Sequence, residues 1–160
     1  MPSKGGLLHK KLKEKALKRL VTQFDIDKIH EIYIEPLKRG FSDVFQVAID
    51  LFGLRAVRRF YPDIVFKYPL DEPIELGSID GIVDLVSDKK ATHKIVVIEC
   101  EVGANSQLLS GGLRRIGYEM LKKQYGPLLY LILAKYKDVR MTNTSIFDEI
   151  WEFERDDPHG

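Results

Sequence analysis

The stretch 94–103, "KIVVIECEVG", decides how the rest of the chain is read. Its Ile and Val residues make a buried β-strand, and its far end carries Glu99 and Glu101 with Cys100 between them. Strand side chains alternate, so the two glutamates leave on one face, about 7 Å apart along the chain. Two like charges at that spacing need solvent, a proton or a cation to hold them there. Cys100 falls on the opposite face with Ile98 and Val102 and reads as a core residue, not a nucleophile.

Upstream, "GSIDGIVDLV" (77–86) is a second strand that sets Asp80, Ile82, Asp84 and Val86 on one face, and "DIVFKYPL" (63–70) is an earlier one. With the polar "SDKKAT" as the last connection, the three form an antiparallel meander. A hairpin turning within "KKAT" places Asp84 nearly opposite Glu99 on a strand about 4.8 Å away. Asp84, Glu99 and Glu101 then share one ion. Oxygen ligands without His or Cys suit Mg²⁺ or Mn²⁺ and not zinc. A hairpin with a longer loop brings Asp80 opposite Glu99 instead. The competing reading is that these acids pair with Lys and Arg of flanking helices, because an unpaired buried charge is costly.

Downstream, 106–125 reads as a helix stopped by Gly126 and Pro127, and "LLYLILAKY" follows as a buried strand. A strand reached through a crossover helix implies parallel pairing and a mixed sheet. The tail "SIFDEIWEFERDD" is expected to form a short acidic helix with a frayed end. Near the start, Leu8, Leu12, Ala16 and Leu20 recur at helical spacing, with Leu17 and Val21 beside them and lysines between, which gives a basic amphipathic helix over 7–21. "IHEIYIEP" fits strand and helix equally. Ser42 caps a second helix through "DVFQVAIDLFGLRAVRRF", whose last turn gathers Arg55, Arg58 and Arg59.

With 160 residues, 44% of them hydrophobic, one domain is expected over 1–160. It divides into a basic helical part (1–60), a core (64–135) and an acidic tail (141–160). No apolar run approaches the roughly 20 residues of a membrane helix, and the N-terminus has no signal-like apolar segment, so a soluble, cytoplasmic protein without a membrane partner is expected. A single cysteine rules out an internal disulfide. Net charge is +1, but residues 1–60 carry thirteen Lys and Arg against seven Asp and Glu, and residues 141–160 one against six. The N-terminal third is therefore a candidate surface for a polyanion. Phosphate-loop, dinucleotide, zinc-protease and serine-hydrolase signatures are missing, and the four histidines show no ligand spacing.

"GIVDLVSDKKATHKIVVIECE" resembles the core motif of the PD-(D/E)xK nuclease superfamily, in which a strand bearing Asp leads by a hairpin to a strand ending E-x-K. The resemblance covers roughly 64–135 and implies an α/β fold with a restriction-endonuclease-like core, a central mixed sheet flanked by helices. It implies a divalent-metal-dependent nuclease acting on nucleic acid, DNA in preference to RNA. Asp84 and Glu99 match the metal-binding acids, and the Cys100 carbonyl is a further ligand. Val83 and Leu85 fit the family strand, which favours Asp84 over Asp80. Glu101 stands where the family usually has lysine, so it is expected to position or deprotonate water, with the replacement cation coming from the following helix. There Gln107, Arg114, Tyr118 and Lys122 share a stripe, the place where related nucleases contact the scissile phosphate. Glu14 is the counterpart of an acid that recurs in the family's first helix. The literal Pro62–Asp63 is expected to be a helix terminator and strand start, so that Asp63→Asn behaves like the parent. Paired cuts need two sites, which makes a homodimer an expectation. The alternative is a non-catalytic nucleic-acid-binding or assembly module that keeps the fold without the lysine.

Overall fold

The computed structural model describes residues 4–34, 63–75, 86–87, 90–103, 113–141 and 144–156. Expectations that fall elsewhere, among them the 43–60 helix, the body of the 77–86 strand and the first turns of the 106–125 helix, lie outside the described residues.

The "KIVVIECE" segment forms the centre of a mixed sheet, in strand β4 (Lys90–Glu101), which starts three residues earlier than "HKIVV" suggests. Residues Ile95 to Cys100 are all buried, as a strand flanked on both sides requires. The other strands are β1 (His30–Ile34), β2 (Ile64–Glu75), the short β3 (Val86–Ser87), β5 (Leu129–Tyr136) and β6 (Glu149–Phe153). The order is β1-β2-β4-β5-β6, with β3 beside the start of β4. β1, β2 and β4 pair antiparallel, while β4, β5 and β6 pair parallel. The fold is thus α/β with a mixed sheet.

Helix α1 (Lys4–Gln23) packs on β4, β5 and β6. The i, i+4 stripe Leu12, Ala16 and Leu20 is fully buried, which is what a helix laid on a sheet requires. Val21 is exposed, so the apolar arc is narrower than its sequence spacing suggests. Helix α2 (Leu113–Tyr125) contributes Tyr118, Leu121 and Tyr125 to the core. Its end is set by Gly126, at φ 52°, a left-handed conformation that glycine adopts without steric cost, and Pro127 follows. Entering β5 through α2, the chain returns parallel to β4, as the crossover predicts.

Three elements differ from their sequence expectations or settle an open one. "HEIYI" is the strand β1 at the sheet edge. β2 continues to Glu75, past Pro69 and Pro73, and its register to β4 shifts between Pro69 and Ile74, where prolines cannot donate to a ladder. The acidic tail is the strand β6, not a helix. Trp151 is completely buried, Arg19 of α1 stacks over its ring at 4.9 Å, and the exposed edge of β5 supplies the ladder partners. Aromatic and branched residues in "EIWEF" fit a half-buried strand, and this tertiary pairing outweighs the helical tendency of the acids.

Candidate functional site

Asp63 and Glu99 meet where β2 begins and β4 ends. Ile64 is the register partner of Ile98, so the next residues outward are Asp63 and Glu99. The Asp63 N–H donates to Glu99 Oε1 at 3.2 Å, and the Cys100 N–H donates to Asp63 Oδ2 at 2.7 Å. Each carboxylate is therefore held by a main-chain N–H of the opposite segment. Both are buried, with 4% of Asp63 and 1% of Glu99 exposed. From α1, His9 Nε2 closes on Asp63 Oδ1 at 2.9 Å, with a third of the His9 side chain exposed.

The electrostatics follow from this packing. The hydrogen bond to Asp63 raises the His9 imidazole above its usual pKa against the opposing effect of burial, and Glu101 acts in the same sense as Asp63. Burial, then the fields of Asp63 and Glu99, push the Cys100 thiol well up. A buried, protonated thiol is no nucleophile, in keeping with its reading as a core residue. Glu101 is half-buried, and its charge reaches both His9 and Cys100.

This geometry changes the pairing expected from the hairpin. Along its inner stretch β4 has β2 on one side and β5 on the other, and the β5 neighbour of Glu99 is Leu133. Among the described residues, the hairpin partner β3 lies beside the start of β4, where Val86 faces Ala91 and Ser87 faces Lys90. The sheet position beside Glu99 thus belongs to Asp63, because a long β2 folds back along β4 before the chain reaches 77–86. Asp84 and Asp80 lie outside the described residues.

Among the other candidates, Tyr118 is fully buried in the core and presents no surface to a phosphate. Lys122 is bound to Asp148, which also accepts the Leu131 N–H at 2.7 Å and so anchors the approach to β6. Glu14 is exposed, unlike the acid pair. Gln107 and the side chain of Arg114 lie outside the described residues. Sequence reasoning passed over His9 and discounted Asp63. The literal Pro-Asp was the available signal, discounted because thirty-six residues separate Asp63 from Glu99.

Among the described residues, no three His, Cys, Asp or Glu side chains are gathered closely enough to hold a metal by themselves. Mg²⁺ does not require three, since it is commonly held by one or two carboxylates together with water and substrate phosphate. Asp63 and Glu99, on neighbouring antiparallel segments, fit that donor set in chemical type, with Glu101 two residues further along.

A second carboxylate centre lies near the starts of β5 and β6. Glu149 accepts from Tyr130 Oη at 2.6 Å, from Gln23 Nε2 at 3.0 Å on both oxygens, and from Trp151 Nε1 at 3.3 Å. Burial alone would raise its pKa, but hydrogen bonds from Tyr130, Gln23 and Trp151 and the charge of Arg19 bring it below the usual value. It borders a cleft of about 240 Å³ shared with Tyr68, Asp71, Lys94 and Tyr130. Lys94 sits 4.4 Å above the Tyr130 ring.

Compared with known proteins, the chain matches no family model, and no curated protein or solved structure gives a significant match. No helix among the described residues is long and apolar enough to cross a membrane.

Proposed function

We propose that this chain is a divalent-metal-dependent nuclease with a restriction-endonuclease-like core, and that Asp63 and Glu99 hold its Mg²⁺ or Mn²⁺. The observation that carries this reading is the burial of two carboxylates side by side at the ends of adjacent strands. Charged residues are seldom buried together without a cation or catalytic purpose. Support also comes from the order of elements: helix, antiparallel strands, crossover helix and parallel strand, with one acid at the entry to the second strand and the other on the central strand. A bound divalent ion supplies Lewis-acid stabilisation of phosphate charge and a more acidic water. In this site Asp63 and Glu99 are the anchoring acids, and Glu101 accepts a proton from, or orients, the attacking water. The Cys100 carbonyl and Asp84 or Asp80 are additional proposed ligands. The basic α1 favours a nucleic-acid substrate, with DNA the first choice.

A specific observation favours the second reading, a nucleic-acid-binding module without catalysis. Both Asp63 oxygens and one Glu99 oxygen already accept hydrogen bonds, and these bonds tie the start of β2, the end of β4 and α1 together. Cleavage of supercoiled DNA with Mn²⁺ separates the two readings. The nuclease reading expects nicking by the parent protein, lost in Glu99→Gln and Asp63→Asn. Activity that survives both substitutions rejects this site, and DNA binding by the parent without cleavage selects the binding module.

A further inference from the structure

The cleft beside Glu149 holds groups that the paired acids do not use. Its floor comes from three adjacent strands, with Tyr68 on β2, Lys94 on β4 and Tyr130 on β5. Tyr68 and Lys94 are register partners, so their side chains leave the same face of the sheet with Cβ atoms about 5 Å apart. Tyr130 is the register partner of Val96, two residues along β4, and the Lys94 ammonium rests 4.4 Å above its ring. Just past the end of α1, Phe24 closes one side, its ring meeting that of Tyr68 edge-on at 5.1 Å.

Glu149 itself is not open to a ligand. Oε1 accepts from Gln23 and Trp151 and Oε2 from Gln23 and Tyr130, which fills the roughly four acceptor positions of a carboxylate. Lys94 is in the opposite condition. Lys15, Lys122, Lys135 and Lys137 each meet a carboxylate. Among the described residues none lies within ion-pair distance of Lys94, although Asp71 and Glu149 border the same cleft. Tyr68 accepts the Asp25 N–H at 3.0 Å and keeps its own O–H to donate. The cleft thus offers two donors, a half-buried ammonium and a hydroxyl, beside aromatic rings, and leaves no acceptor on Glu149 for a cation. Its volume of about 240 Å³ lies between the roughly 150 Å³ that holds benzene and the roughly 300–1,000 Å³ of a drug-sized site, which suits a ligand of one ring.

We propose that this cleft is a binding site for a small aromatic carboxylate, a single ring carrying one anionic group. One carboxylate oxygen accepts from the Lys94 ammonium and the other from the Tyr68 hydroxyl, while the ring lies against Phe24 and Pro69. A cation partly withdrawn from water holds an anion more strongly than an exposed one does. The negative charges of Asp71 and Glu149 repel a second charge on the ligand, so the site takes a monoanion and discriminates against a dianion such as a phosphate monoester. Lys94 and Glu99 are five residues apart on β4, about 17 Å along the strand, so this site is separate from the acid pair.

Benzoate is the probe, titrated into the isotope-labelled full chain and followed by NMR. Saturable shifts of the Phe24, Tyr68, Lys94 and Tyr130 amides are expected, with a Kd of about 1 mM, which is what a one-ring ligand achieves. Benzamide, the neutral ligand of the same shape, and phenyl phosphate, the dianion, are each expected to bind about tenfold more weakly. Lys94→Met keeps the apolar stem over Tyr130 and is expected to weaken benzoate about tenfold, and Tyr68→Phe about fivefold. Lys94→Arg retains most of the binding. A titration without saturable shifts at the cleft overturns the proposal. So does benzamide or phenyl phosphate binding as tightly as benzoate, or undiminished benzoate binding by Lys94→Met. Should that variant fail to fold, the comparison of the three ligands on the parent decides alone. None of these outcomes depends on cleavage of DNA, so failure of the nuclease reading leaves this test standing.

Discussion

The two carboxylate centres of the molecule, one where β4 ends and the other where β6 begins, solve burial differently. Glu149 is surrounded by side-chain donors from α1, β5 and β6, and its hydrogen bonds fasten those elements together. Asp63 and Glu99 are two acids side by side, held by main-chain N–H groups and one histidine. A well-solvated or well-bonded single charge needs no further explanation, because each lone pair is satisfied. Two adjacent buried charges keep a mutual repulsion that hydrogen bonds do not remove. On the proposed reading it is the company of another acid, and not the number of hydrogen bonds, that sets Asp63 and Glu99 apart from Glu149.

The comparison breaks most readily at Asp63. Asp63→Ala removes the acceptor of both the Cys100 N–H and His9 from a buried position, and a loss of about 3–5 kcal/mol is expected. Urea unfolding with an unchanged denaturant slope measures it. Glu149→Ala, at a less buried site, is expected to cost about 1–3 kcal/mol, and the reverse ranking would invert the contrast drawn between the two centres.

Metal response sharpens the contrast next. With Mn²⁺ at about 100 times its dissociation constant, the parent gains about 2.7 kcal/mol if the ion binds only the folded chain. Differential scanning fluorimetry should show that gain disappear in Asp63→Asn and Glu99→Gln and persist in Glu149→Gln. An equal response in all three variants would mean that the paired acids are not the ligands.

Acid titration gives a smaller effect at Glu149. The folded pKa of Glu149 lies below its ordinary 4.5, so its contribution to stability is complete above 4.5 and is lost as pH falls through the depressed value. Glu149→Gln should flatten that part of the stability profile, measured by unfolding between pH 5 and pH 3, roughly the window set by linkage. A profile as steep as that of the parent assigns the acid loss to other groups.

The smallest expected effect belongs to His9. Its folded pKa is raised above 6.5 by Asp63, so the stabilisation it brings is complete below 6.5 and fades as pH rises through the folded value. The stability gap between parent and His9→Gln, about 1 kcal/mol at most for a partly exposed ion pair, should narrow from pH 6 to pH 9. A gap that widens instead shows that the imidazole acts in its neutral form.

The strongest periodic segments were legible from residue order alone. β4 and β5 are runs of Ile, Val and Leu that only a doubly flanked strand buries, and the helix between them fixed their parallel pairing. α1 was legible from Leu12, Ala16 and Leu20. The tail was misread, because "SIFDEIWEFERDD" has no decisive local period, and only the free edge of β5 makes "EIWEF" a strand. The acid pair was half legible for a related reason. Glu99 announces itself as a charge inside an apolar run, whereas its neighbour depends on which of two upstream strands lies beside it.

By itself, then, the sequence determined the central strand, the helix that crosses from it, the basic amphipathic first helix and the presence of acids where apolar residues end. Tertiary structure alone decided that Asp63 stands beside Glu99, that His9 reaches them and that Trp151 closes the sheet. Local propensity acts over a few residues, and it sets each element through periods of two or 3.6. Strand pairing joins residues thirty-six positions apart through ladder geometry and shared burial, and those energies exist only once the whole sheet has formed.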